Sequence, residues 1–146
     1  MIGLLQRVRW ASVSVDESVI AEIGPGLLVL VGVELGDRPE SVSRLIDRLC
    51  GYRVFADEHG RMNRSLLAVG GGLLLVPQFT LAADTRKGRR PGFSRAASPV
   101  QGRELFERLV AEARHLPMTV AAGCFGADMQ VASCNDGPVT FWLQTT

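Results

Sequence analysis

Leu27-Leu28-Val29-Leu30-Val31-Gly32-Val33 carries no charged or polar side chain at any position. Successive side chains of a strand point to opposite faces. A strand apolar on both faces is therefore a central one, covered on both sides. Gly24-Pro25-Gly26 punctuates the chain just before it. Outward from this strand, residues 2–9 and 12–15 alternate apolar and polar, and 19–23 follows a polar turn, so the first third reads as strands and turns. On the C-terminal side, Val42, Leu45, Ile46, Leu49 and Cys50 fall at helical spacing, which predicts a helix over 37–51. Asp37 and Glu40 give it a cap-like start, Pro39 sits in its first turn and Gly51 ends it.

Ser98 and Gln101 form a capping-box pattern, and Leu105, Phe106, Leu109, Val110 and Ala113 make one stripe, predicting a second helix over 99–115. The stripe is core. Further strands are expected near 53–56, 73–81, 118–122, 129–133 and 139–143, with a tight turn at Gly70-Gly71-Gly72. Strands outnumber helices, and the two helices separate groups of strands. This pattern predicts an α+β fold in which two sheets form a sandwich or open barrel with about two helices packed against it.

The 146 residues are the size of one domain, taken as 1–146, and 47% hydrophobic content can fill a core. The net charge of +1 hides an uneven distribution, because Arg86, Lys87, Arg89 and Arg90 crowd one short stretch interrupted only by Gly88. Four cations on one loop can meet a phosphate backbone, although a solvated surface loop has the same composition. Cys50, Cys124 and Cys134 are odd in number and lack a CxxC, against both a disulfide framework and a zinc site. His59 and His115 have no metal-ligand spacing, so no metal and no cofactor are expected. The N-terminal stretch lacks signal-peptide character and the longest apolar run is too short for a bilayer, which predicts a cytoplasmic protein without a membrane partner.

Two segments carry the chemistry. Cys134-Asn135-Asp136-Gly137-Pro138-Val139-Thr140-Phe141-Trp142 sets a Gly-Pro between a polar turn and an alternating strand, with no catalytic side chain nearby. An X-Pro bond is the one peptide bond at which the cis form is cheap, and a cis Gly-Pro would offer two carbonyls as a rigid acceptor pair. The residues alone are equally those of an ordinary turn. The second segment, Leu75 to Phe93, runs from an apolar strand through Pro77-Gln78-Phe79-Thr80 into the basic loop. Thr80 is the obvious side-chain nucleophile, yet no base lies near it in sequence. A chain that bends after Pro77 could instead aim the Phe79 and Thr80 N–H groups at a carbonyl oxygen, as an oxyanion hole requires.

Together these segments resemble D-aminoacyl-tRNA deacylase. Gln78-Phe79-Thr80, the run Ala83-Asp84-Thr85-Arg86-Lys87-Gly88-Arg89-Arg90-Pro91 and Asn135-Asp136-Gly137-Pro138-Val139-Thr140 stand in the family's order and separation. Gln6-Arg7-Val8, Ala11-Ser12-Val13, Ile23-Gly24-Pro25-Gly26-Leu27, Met62-Asn63 and Phe125-Gly126-Ala127-Asp128-Met129 extend the likeness over nearly the whole chain. The resemblance implies a homodimer that hydrolyses the ester of D-aminoacyl-tRNA, and of glycyl-tRNA mischarged on tRNA-Ala. It also implies that the substrate's 2′-hydroxyl assists the attack.

By the same resemblance, Gln78, Phe79 and Thr80 form the catalytic segment. The Gly137-Pro138 of one subunit enters the other's site and fills the space of an L side chain, with Arg7 holding its carbonyls. Phe125 and Met129 hold the terminal adenine, while Arg86, Lys87, Arg89 and Arg90 contact acceptor-stem phosphates. One departure stands out: Pro77 replaces the family's usual serine and brings neither hydroxyl nor N–H. Two other classes stay open at this point, a non-catalytic RNA-binding module using the basic loop and Phe93, and a small-ester hydrolase built on the Thr80 side chain.

Overall fold

A computed structural model describes residues 1–145. In chain order the elements are β1 (Ile2–Val15), β2 (Ser18–Ile23), β3 (Gly26–Gly32), α1 (Pro39–Gly51), β4 (Arg53–Ala56), β5 (Met62–Ser65), α2 (Leu66–Val69) and β6 (Gly72–Pro77), then a 3-10 turn (Phe79–Ala82), α3 (Pro99–Ala113), β7 (Val120–Ala122) and β8 (Gln130–Gln144). Strands β2, β1, β3, β6 and β7 lie side by side in that order, and β8 also pairs along β1, so the sheet curls into a nearly closed barrel. Strands β4 and β5 form a small second sheet.

β3 is the central strand that its two apolar faces demand. It pairs with β1 antiparallel on one side and with β6 parallel on the other. Leu27, Val29, Val31 and Val33 pack on the face covered by α1 and α3, with Leu45, Leu49, Leu105 and Leu109. Leu28 joins Val8, Val13, Ile23, Leu74 and Val76 on the opposite, inner face. One strand thus buries its side chains in two separate clusters, which explains why no position of it can be polar.

The helices begin where proline allows. α1 starts at Pro39, later than Asp37, because Asp37 is committed elsewhere: its carboxylate accepts the Glu34 N–H at 2.7 Å and pairs with the buried Met1 ammonium. Ser41 takes over the cap, its Oγ accepting from the Arg38 N–H at 3.2 Å. At α3, Ser98 Oγ accepts the Gln101 N–H at 3.2 Å, but the Gln101 side chain turns away to donate to the Asp37 carbonyl at 3.0 Å. α3 ends at Ala113.

Three expectations need correction. The strand expected over 73–81 stops at Pro77: Gln78 N–H makes the last ladder bond, to the Val31 carbonyl at 2.7 Å, and the Gln78 carbonyl then accepts from Leu81 N–H at 3.2 Å, which turns the chain into a 3-10 helix. The strands expected at 2–9 and 12–15 are one strand, as are those at 129–133 and 139–143, because β1 and β8 pair along their length and carry their irregularities as bulges. The short strand β5 is largely exposed and the one-turn helix α2 buries only Leu66 fully, so neither leaves a periodic apolar pattern.

Candidate active site

A cleft of about 500 Å³ opens between the end of β6, the start of α3 and the 125–129 segment. Pro77, Gln78 and Phe79 form one wall, Pro99 and Phe106 another, and Phe125 and Met129 a third. Two glycines make this possible. A Cβ on Gly123 would lie 2.8 Å from Met129 Sδ and 3.3 Å from Pro77 Cδ, so a side chain there would split the wall. A Cβ on Gly32 would lie 2.9 Å from Leu81 Cβ, so the 3-10 turn can rest on β3 only above a glycine. Pro77 fits at the end of β6 because β7 pairs only with Leu73, Leu74 and Leu75, and its missing N–H faces no ladder partner.

The 3-10 turn is closed by Leu81 N–H to the Gln78 carbonyl at 3.2 Å and by Ala83 N–H to the Thr80 carbonyl at 3.1 Å. The first N–H groups of such a turn have no acceptor within it. Among the described residues, neither the Phe79 nor the Thr80 N–H has an acceptor. The Thr80 hydroxyl is already engaged, accepting from Gln78 Nε2. No base touches it: His59 sits in the turn between β4 and β5, and His115 follows α3 at the end remote from the cleft. Asp128 is the only charged residue among those lining the cleft. Among the described residues there is no cluster of three metal-ligating side chains.

Arg7, Gly137 and Pro138 form a separate group that does not line this cleft. In the β1–β8 ladder, Gln6 opposes Thr140 and Val8 opposes Asn135, so residues 136–139 bulge out of the sheet opposite Arg7. Asn135 ties the bulge closed: its Oδ1 accepts the Val139 N–H at 2.7 Å and its Nδ2 donates to Thr140 Oγ1 at 3.0 Å. Arg7 donates from Nε to the Asp136 carbonyl at 2.9 Å and from Nη1 to the Val54 carbonyl at 2.6 Å. The carbonyl that Arg7 holds is thus the one just before Gly137. The Gly137-Pro138 bond is cis. The sequence shows Asn135 as part of the run 135–140 but gives it no role of its own; its signal was an Asn directly before the turn residues.

The basic loop is a short antiparallel excursion closed by the paired N–H and carbonyl groups of Asp84 and Gly92, at 2.7 and 3.0 Å. Its four cations are unequal. Arg86 grips Asp84 with two hydrogen bonds, 2.9 Å from Nε and 2.6 Å from Nη2, and this hydrogen bonding holds the Asp84 carboxyl well below the usual carboxylate range. Lys87, Arg89 and Arg90 are exposed and have no ion-pair partner among the described residues. The loop leads into Phe93, whose ring lies against that of Phe79 at the cleft, 5.1 Å between centroids.

The sequence pattern behind this geometry matches a family model described as D-Tyr-tRNA(Tyr) deacylase over residues 4–144. The chain belongs to that family. A D-aminoacyl-tRNA deacylase of Alkalilimnicola ehrlichii is 60% identical over 144 residues, covering 99% of this chain and 96% of the relative. One of Thioalkalivibrio sulfidiphilus is 59% identical, covering 99% and 97%. Among solved structures, one titled c-Myc DNA Unwinding Element Binding Protein superposes with a TM-score of 0.95 at 35% identity, covering 100% of this chain and 99% of its own. A probable eukaryotic D-amino acid tRNA deacylase superposes at 0.83 with 19% identity over 97% of each chain, a likeness of fold. Among the described residues no helix is long and apolar enough to cross a membrane.

Proposed function

We propose that the chain hydrolyses the ester of D-aminoacyl-tRNA with a site built from backbone. Water attacks the ester carbonyl, the oxygen becomes an oxyanion, and the bond to the terminal ribose then breaks, the ribose oxygen leaving with a proton. The Phe79 and Thr80 N–H groups stabilise that oxyanion. Phe79 lines the apolar cleft, and among the described residues neither its N–H nor that of the adjoining Thr80 has an acceptor; this is the observation that carries the reading. One such donor is worth about 10²–10³ in rate. The Thr80 hydroxyl, occupied by Gln78 and without a base, is not the nucleophile. The substrate's own 2′-hydroxyl, beside the ester, assists the attack.

Phe125 and Met129 receive the terminal adenine, as the apolar wall they form favours. Chirality is tested by Gly137 and Pro138 of a second subunit in a homodimer: their carbonyls fill the volume of an L side chain, while a D side chain points away. Selection of this kind rests on obstruction, because enantiomers share every functional group. Glycine has no side chain to obstruct, so glycyl-tRNA mischarged on tRNA-Ala is also cleared. The cellular setting is the cytoplasm.

The reading is tested by release of amino acid from matched D- and L-tyrosyl-tRNA with chelator present. Fast release from the D ester alone is expected; equal release from both esters, or from neither, would overturn it.

A further inference from the structure

We propose that Phe79 and Phe93 form a stacking platform for the base that precedes the terminal adenosine of the substrate; this rests on the aminoacyl-tRNA reading above. The two rings touch, with centroids 5.1 Å apart and planes at 47°, yet Phe79 is 59% and Phe93 40% exposed. Single exposed apolar side chains are ordinary, but two aromatics in contact and open to solvent on the single chain form a patch that a flat apolar partner can cover. Their position identifies that partner. Phe79 lines the cleft, and Phe93 directly follows the loop whose Lys87, Arg89 and Arg90 are unpaired among the described residues.

The pair joins the two features: Phe79 lines the cleft, and Phe93 directly follows the loop that Asp84 and Gly92 close, so a strand that reaches from one to the other has the two rings on its way. The group crossing there is an unpaired base, flat and apolar on its faces. Stacking on an aromatic ring suits every base, so the platform adds affinity without reading sequence. A stacked base is worth roughly 5- to 150-fold in binding.

The test compares D-tyrosyl-adenosine with a D-tyrosyl cytidylyl-adenosine dinucleotide. For the wild-type enzyme, kcat/KM rises on adding the penultimate nucleotide. In Phe93→Ala that gain falls by roughly 5- to 150-fold, mainly through KM, and Phe93→Trp restores it. An equal loss on both esters would overturn the proposal, since Phe93 would then only support Phe79. A wild-type gain that Phe93→Ala retains would overturn it as well. Failure of the deacylase reading itself is distinguishable, because the wild-type enzyme would then release no amino acid from D-tyrosyl-tRNA.

Discussion

Gly32 shows how narrowly a single position governs the site. Alanine there would press on Leu81 and lift the 3-10 turn that carries Phe79 and Thr80. Overpacking of this kind costs about 1–3 kcal/mol, and a displacement near 1 Å of the proposed oxyanion donors costs about 10²-fold. We expect Gly32→Ala to remain folded with a lowered melting temperature and to lose about 10²-fold in single-turnover rate on D-tyrosyl-tRNA. Cys50 offers a test of packing on α1. Burial, reinforced by the nearby Asp47 charge, pushes its thiol up to about 11 from 9.0. The unfolded chain ionises this thiol first, so the folded state loses stability as pH rises from about 9 to about 11. Urea midpoints should fall more steeply over that window for wild type than for Cys50→Ala. Such roles are hard to read from sequence, because a close approach involves residues distant in the chain: Gly32 is indistinguishable from any strand glycine until Leu81 lies over it.

At the scale of elements, the basic loop and the 136–139 bulge are each shaped by one arginine, Arg86 in the loop and Arg7 at the bulge. Each phosphate neutralised contributes about −0.9 to the slope of log affinity against log salt for a duplex. Alanine at Lys87, Arg89 or Arg90 should therefore flatten the slope for tRNA binding by up to about 0.9 each. Arg86→Ala should leave it near the wild-type value, because Asp84 already neutralises that guanidinium. Arg7 spans the Asp136 and Val54 carbonyls, which a single ammonium cannot do with the same fixed geometry. Arg7→Lys should loosen the bulge and raise release of L-tyrosine from tRNA relative to D-tyrosine. The sequence made the clustering of these charges plain, but not that Arg86 is spent within the loop. It also overran β6, because Phe79 and Leu81 alternate with Thr80 as in a strand, and only the 3-10 bonds from Leu81 to Gln78 and from Ala83 to Thr80 turn the chain away.

For the whole molecule, the sheet was legible because β3 has no polar face and the amphipathic stripes of α1 and α3 must cover one side of it. The curl into a barrel was less so, since it depends on β8 pairing with a strand more than a hundred residues away. The separation of the cleft from the Gly137-Pro138 bulge suits a site completed by a second subunit. Sedimentation should give twice the 15.8 kDa chain mass; a monomer that retains full discrimination between D and L esters would rule out the cross-subunit filter. The claim that the chemistry resides in backbone and substrate is tested most directly by the single-turnover rate of Thr80→Ala on D-tyrosyl-tRNA. Most of the wild-type rate should remain; a loss of several orders of magnitude would make the hydroxyl the catalyst and contradict a site built from backbone.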